Sequence, residues 1–259
     1  MLHANGFYVS GTIVCFRDSL AARAFPSESL TEAATGMRFA DSYDNYWLNI
    51  FEEDARSYIT DLVAESVMLG FDEIILDDFF LPNVQDLSRL DYNDGGVSRN
   101  DAVSSFVTEV RTAIDGAAAQ ANESANTNRR VRLGLNIPAR HLLNAGLLAN
   151  PDNAVGLNID ELIPLADFFT SDFSPSNLPT GVAGFSSNPA AAPYETVRTL
   201  SARAGEVFPL GYVMFRPDLQ AFDSPDGITY GDGQINSQRQ ALNEAGISVW
   251  TLINYDNTY

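Results

Sequence analysis

Strand-like runs alternate with amphipathic helical runs along almost the whole chain, and this order restricts the fold more than any other feature. Residues 6–16 (GFYVSGTIVCF) are rich in β-branched and aromatic side chains and read as a buried strand. Residues 45–69 set Phe51, Ala55, Tyr58, Ile59, Leu62, Val63 and Val67 at steps of three and four, one face of a helix. Gly70 should end it, and residues 71–78 (FDEIILDD) then form a short strand closed by Pro82. The alternation continues with helix 102–119, strand 131–137, helix 159–165, strand 167–171, helix 194–204 and strand 207–214. Helix 234–245, with Gly246 at its end, and strand 247–253 complete it. Repetition of this kind predicts a parallel α/β sheet of the (β/α) barrel type.

No internal repeat or low-complexity linker divides the chain, so residues 1–259 read as one domain. The long connections 81–100 and 172–192 both follow strands, where a (β/α) barrel builds its active-site face. Residues 120–130 precede a strand and read as a loop on the opposite face; their Asn122-Glu123-Ser124 fits a glycosylation acceptor. Six strands fall two βα units short of eight. Either the barrel is open, or about 80 residues of N-terminal sequence are absent.

The reactive side chains exclude much chemistry. All 15 basic residues are Arg, which removes Schiff-base lysines and the P-loop lysine. Cys15 is the only cysteine and reads as a small buried hydrophobe, so no disulfide and no Cys-rich zinc site is expected. The imidazoles are His3, near the terminus, and His141. Acid–base work therefore falls mainly to the 34 carboxylates. A net charge of −19 repels nucleic acid and anionic membranes and favours neutral or cationic ligands; missing Lys and abundant Asp suit a salty habitat or a GC-rich genome, against the plainer reading of a merely acidic soluble protein. No apolar run is long enough to cross a bilayer, and residues 1–8 show no signal peptide. No cofactor is expected.

Parity within the strand 72–78 supplies the central motif. Ile74 and Leu76 share one face, and Glu73, Ile75 and Asp77 the other. In a barrel the first pair faces the helices, and Asp77 points into the cavity mouth with Asp78 at its lip. A carboxylate placed there points to function; capping the following loop or pairing with an Arg is the plainer alternative. Asp77, Asp78 and Asp172 also admit a Ca²⁺ or Mg²⁺ reading, although no EF-hand spacing is present.

Trp47-Leu48-Asn49, the helix after it, and Leu69-Gly70-Phe71-Asp72-Glu73-Ile74 with Asp77 and Pro82 resemble a bacterial family of glycoside-hydrolase-like proteins. That family is a domain of unknown function related to amylase-like (β/α)8 barrels. Gly11-Thr12-Ile13-Val14-Cys15-Phe16-Arg17-Asp18 with Leu20-Ala21 is similar to its third strand and following loop. Asn188-Pro189-Ala190 with Pro193-Tyr194-Glu195, then Leu219-Gln220, and Trp250-Thr251-Leu252-Ile253-Asn254 with Tyr259 resemble later family segments in order. The resemblance implies a barrel that begins here at its third strand, lacking the first two βα units.

It also implies a carbohydrate substrate and an extracellular or cell-surface location. Asp77 matches the family's strand-four Asp, as nucleophile or base. The chain departs from the pattern at Asp78 (family Tyr), Phe80 (Arg), Asn136 (Asp) and Ala221 (Asp), and Asp172 is a new acid. Glycosidic cleavage needs two carboxyl groups, so Asp172, Asp78 or Asp223 is expected as the acid. Trp47, Phe79, Phe80, Phe173 and Tyr255 are candidate sugar platforms. Asn136, His141, Gln220 and Asn254 are candidate hydroxyl ligands, against the plainer readings of a surface His and polar gap fillers. The alternative to an enzyme is a catalytically diverged carbohydrate-binding or structural barrel module.

Overall fold

In the computed structural model, which describes residues 3–125, 127–144, 148, 153–178, 181, 184–209 and 213–255, parallel strands form within the β-branched runs. The chain divides into two compact units, Met1–Leu135 with Asn150–Asp167, and Asn136–Ala149 with Phe168–Tyr259. The fold is α/β with parallel pairing, as the alternation predicts.

In the first unit β1 (Ser10–Val14), β3 (Glu73–Asp77) and β5 (Arg132–Asn136) run parallel, with β3 in the middle. The register sets Ser10 opposite Glu73 and Val14 opposite Asp77, and Glu73 opposite Arg132. Ile74 and Leu76 are fully buried, so this face of β3 is dry. The helix α2 (Glu53–Leu69) buries Ala55, Ile59, Val63 and Val67. The helix α3 (Arg99–Ala125) packs on α2 and buries Val103, Phe106, Val107, Val110 and Ile114. Gly70 adopts φ 107°, and its N–H reaches back to the carbonyls of Ser66 and Val67, closing α2. The short helix α5 (Ile159–Leu162) touches α3. The segments after β1 and β3 clasp each other: β2 (Thr31–Glu32) pairs antiparallel with β4 (Leu90–Asp91). Between β1 and β2 lies the helix α1 (Ser19–Ala24), capped by Asp18, whose Oδ1 accepts the N–H groups of Leu20 and Ala21.

In the second unit β6 (Phe168–Thr170) lies beside β7 (Asp218–Gln220) through parallel bridges Phe169–Phe215 and Asp172–Asp218. β7 pairs parallel with β8 (Thr251–Ile253). The helices α4 (Ala139–Leu143) and α7 (Asp232–Glu244) pack against α6 (Pro193–Val207). Phe169, Phe208, Phe215 and Phe173 form a continuous aromatic column with ring centroids 4.9, 5.2 and 5.6 Å apart in succession.

Four boundaries differ from the sequence reading. Helix α2 begins at Glu53 rather than 45, because residues 47–49 are held extended: Leu48 N–H donates to Phe16 O at 2.7 Å and Asn49 N–H to Glu28 O at 2.7 Å. Half of the expected loop 120–130 is helix. The run to Ala125 is polar but made of good helix formers, and Asn122 ties the following turn through Arg129 N–H and O. The expected strand 207–214 is not one: Val207 ends α6, the strand begins at Asp218, and residues 210–212 lie outside the described ones. Residues 247–250 precede β8 rather than belonging to it, since Ile247 N–H closes onto Leu242 O behind α7.

Gly156 shows how tightly the first unit is drawn together. It has φ +76°, and a Cβ there would stand 2.6 Å from Arg99 O and 2.9 Å from a Val103 methyl. Gly156→Ala is expected to lower stability by about 2–3 kcal/mol, combining a disfavoured φ with a backbone clash. Urea unfolding at pH 7 checks this; an unchanged midpoint would show that the α3 contact yields freely.

Candidate active site

The strand ends carry carboxylates in both units, and their surroundings differ. In the first unit, Asp77 is half-buried on the face of β3 opposite Ile74 and Leu76. Its Oδ1 accepts the N–H of Asp78 at 2.9 Å. Asp78 is buried with φ 45°, a left-handed conformation that Asp tolerates better than most side chains. Its Oδ2 meets Arg17 Nε at 2.6 Å, so this acid carries its own counter-charge. The Phe16-Arg17-Asp18 segment thus divides three tasks: Phe16 packs edge-on to Phe106 at 4.7 Å, Arg17 neutralises Asp78, and Asp18 caps α1. Cys15 is buried beside this strand end. Burial, then the charges of Asp77 and Asp78, push its thiol well up; it is an inert packing residue.

In the second unit, the bridge between Asp172 and Asp218 sets two acids side by side on adjacent strands. Burial, and then the charge of Asp172, raise Asp218 to about 7. Hydrogen bonds from Thr170 Oγ1, at 3.2 Å, and from Thr251, with the charge of Arg216, oppose the shift without cancelling it. Asp172 accepts the N–H of Ser174 at 2.8 Å and Asn177 Nδ2 at 2.6 Å. Asp218 therefore holds a proton at mildly acidic pH beside a hydrogen-bonded carboxylate, an arrangement suited to proton donation. The sequence reading missed Asp218 because it placed the strand at 207–214. The alternation Asp218, Leu219, Gln220, with Leu219 fully buried, was the available signal.

Several expected ligands have structural work instead. Trp47 is buried, and its Nε1 donates to Asp41 Oδ2 at 3.1 Å, so it is a core residue rather than a sugar platform. Phe79, Phe80 and Phe173 are likewise buried. Gln220 is fully buried: its Oε1 accepts Ser176 N–H, and its Nε2 donates to Ser176 Oγ and Phe222 O. Gln238 in turn clamps the Gln220 backbone through both N–H and O. Gln220 therefore fastens the turn that carries the partners of Asp172, and is no free hydroxyl ligand. His141 is not on the surface. It is buried in α4, and burial, then the charge of Arg140, lower it to about 3. Asp223 is exposed and accepts Tyr230 N–H at 2.9 Å. Asn136 and Asn254 are half-buried at or just past the ends of β5 and β8. Tyr255 remains exposed, its ring 4.6 Å from that of Phe222. Among the described residues no cluster of three or more His, Cys, Asp and Glu is placed to hold a metal ion.

The fold belongs to a known class. Residues 1–259 match the family model described as "Putative glycosyl hydrolase domain", and the chain is a member of that glycosyl hydrolase family. The fold is shared with the PgaB (BpsB) glycoside hydrolase domain from Bordetella bronchiseptica, at 17% identity over 96% of this chain and 70% of that one, with a TM-score of 0.63. It is shared also with the α-galactosidase TtGalA from Thermus thermophilus in complex with stachyose, at 14% identity, 98% and 47% coverage, and a TM-score of 0.55. A hypothetical protein from Ruminiclostridium thermocellum is 27% identical over 42% of this chain and 55% of its own, with a TM-score of 0.39. The chain thus spans about half the length of two of these three. No protein of curated function matches the sequence significantly.

His141 and Asp218 oppose each other in the pH dependence of stability. Folding lowers His141 from 6.5 to about 3, so the unfolded chain binds the extra proton and stability falls as pH drops through that window. Folding raises Asp218 from 3.8 to about 7, so the folded chain keeps the extra proton and stability falls as pH rises through its window. Between about pH 4 and 6.5 the two slopes, each at most about 1.4 kcal/mol per pH unit, nearly cancel. Relative to the parent chain, Asp218→Asn should therefore gain stability with rising pH, and His141→Gln should lose it. Urea melts at pH 4.5, 5.5 and 6.5 measure both; parallel curves for all three proteins would refute the opposed pair.

Proposed function

We propose that the chain is a glycoside hydrolase that cleaves a polysaccharide or glycan with two carboxyl groups, at the face built by the post-strand loops of a (β/α)8-type barrel. The observation that carries this reading is the Asp172–Asp218 pair, in which Asp218 keeps its proton to about pH 7. Asp218 gives that proton to the leaving glycosidic oxygen. Burial, and then the charge of Asp172, keep the proton in place, and Ser174 and Asn177 hold Asp172.

Asp77, half-buried at the end of β3, takes the part of nucleophile or base. The role of Asp77 rests on its match to the family's strand-four Asp, and that of Asp218 on the geometry of its own unit. Asp78, bound to Arg17, and Asp223, bound to the Tyr230 backbone, are holding groups rather than acids for the reaction. The reaction takes water as its co-reactant, and a polysaccharide substrate favours an extracellular or cell-surface setting. A second reading, a carbohydrate-binding module without turnover, is favoured by Phe80: where family members carry Arg, it lies edge-on to Phe79 at 5.4 Å within the core.

Two variants test the enzyme reading on a panel of polysaccharides. Asp77→Asn is expected to abolish product release with the unfolding midpoint unchanged. Asp218→Asn is expected to lose at least about a hundredfold on native glycans and far less on dinitrophenyl glycosides, whose leaving groups need no proton. Full activity in Asp77→Asn would remove its role, and equal losses on both substrate types would remove the role of Asp218. Glycan binding with no product from the parent chain would favour the binding module.

A further inference from the structure

Most arginines of the first unit are held by carboxylates: Arg17 by Asp78, Arg56 by Glu109, Arg89 by Glu32, Arg111 and Arg130 by Asp167, and Arg129 by Asp72. Arg23 and Arg38 differ. Neither forms an ion pair among the described residues, and both guanidinium groups lie over one ring, that of Tyr46, at 5.1 and 5.3 Å from its centroid. Two cations thus stand within roughly 10 Å of each other, in a chain of net charge −19.

Three of the acids near them in sequence are occupied. Asp18 caps α1 and accepts Tyr58 Oη, Glu32 binds Arg89, and Asp41 takes hydrogen bonds from Tyr43, Asn45 and Trp47. Glu28 and Asp44 pair with neither arginine. Arg23 is exposed on α1, while Arg38 and Tyr46 are half-buried in the segment after β2. All three belong to the excursion that leaves the C-terminal end of β1, the side on which (β/α) proteins bind substrates. Tyr43, in the turn between the bridged residues Ala40 and Tyr46, is 82% exposed. Planar guanidinium forks fit a carboxylate better than a spherical charge does, and an exposed phenol ring offers a flat face to a sugar.

We propose that Arg23 and Arg38, gathered on Tyr46, form a subsite for a carboxylated sugar, a uronic acid unit of a polysaccharide. This rests on the reading of the chain as one that acts on carbohydrate, and it names the substrate class. The chain's overall negative charge does not steer polyanions from afar, so recognition here rests on the short-range contacts of the two guanidinium groups.

The test is equilibrium binding of the full chain at low ionic strength, with no turnover in the readout. The probes are polygalacturonate, the same polymer after carboxyl reduction, and dextran sulfate. The parent chain should bind polygalacturonate and not the reduced polymer. Arg23→Gln and Arg38→Gln should each weaken binding about tenfold, and the double variant should abolish it. Arg23→Lys and Arg38→Lys keep the charge but lose the fork, and should bind more weakly than the parent while folding normally; they stand in if a glutamine variant does not fold. Absent polygalacturonate binding, equal binding of acid and reduced polymers, or undiminished binding by the double or the lysine variants overturns the proposal. Dextran sulfate bound as tightly as polygalacturonate overturns the uronate assignment. A chain that hydrolyses a neutral glycan but shows any of these results loses this inference alone; a chain that binds uronate without hydrolysing it loses only the catalytic reading.

Discussion

The parallel pairing of β3 between β1 and β5 is the constraint on which the first unit depends. A central strand must satisfy its backbone on both edges, so its register is fixed from Ser10–Glu73 to Val14–Asp77 on one side and from Glu73–Arg132 onward on the other. Side chains alternate with a period of two, so that register drives Ile74 and Leu76 into the dry layer and leaves Asp77 on the opposite face. A slip by one residue would bury Asp77 and expose the isoleucine. The position of the acid and the stability of the sheet are therefore one choice.

Carboxylates in the two units are treated differently. At the N-terminal ends of the first unit they are saturated. Asp72 accepts Val9 N–H, His3 and Arg129, and Asp167 accepts Leu133 N–H, Arg111 and Arg130. Burial pushes both acids up, but these donors outweigh it and hold both below the ordinary carboxylate range. In the second unit Asp218 lies beside another acid, with hydroxyls as its close donors, and its carboxyl rises. Saturated acids fasten loops; an acid short of cations keeps a proton to give away.

Much of this architecture is legible in the residues themselves. The steps of three and four in α2, the left-handed Gly70 after it and the parity of β3 follow from local chemistry that the tertiary structure leaves intact. The failures share a cause. Residues 47–49 carry a helical pattern yet lie extended, because Phe16 and Glu28, distant in sequence, offer them carbonyls. Trp47, Gln220 and His141 bear the side chains of a sugar site. They are buried because Asp41, the turn at Ser176 and the packing of α4 consume or enclose them. Asp218 was hidden by a strand boundary set too early.

Side-chain periodicity and composition alone establish the α/β order, the parallel strands, which residues of β3 share a face, and an acid–base chemistry left mainly to carboxylates by the absence of lysine and the scarcity of cysteine and histidine. These are consequences of side-chain periodicity and composition, which act locally or as simple exclusion. Which acids are neutralised and which keep a proton is settled by the folded arrangement. That depends on close approaches between residues apart in sequence: Arg17 to Asp78, Asp172 to Asp218, and Arg23 and Arg38 to one tyrosine ring. Charge, burial and hydrogen bonding act through space, and no pattern along the chain records them.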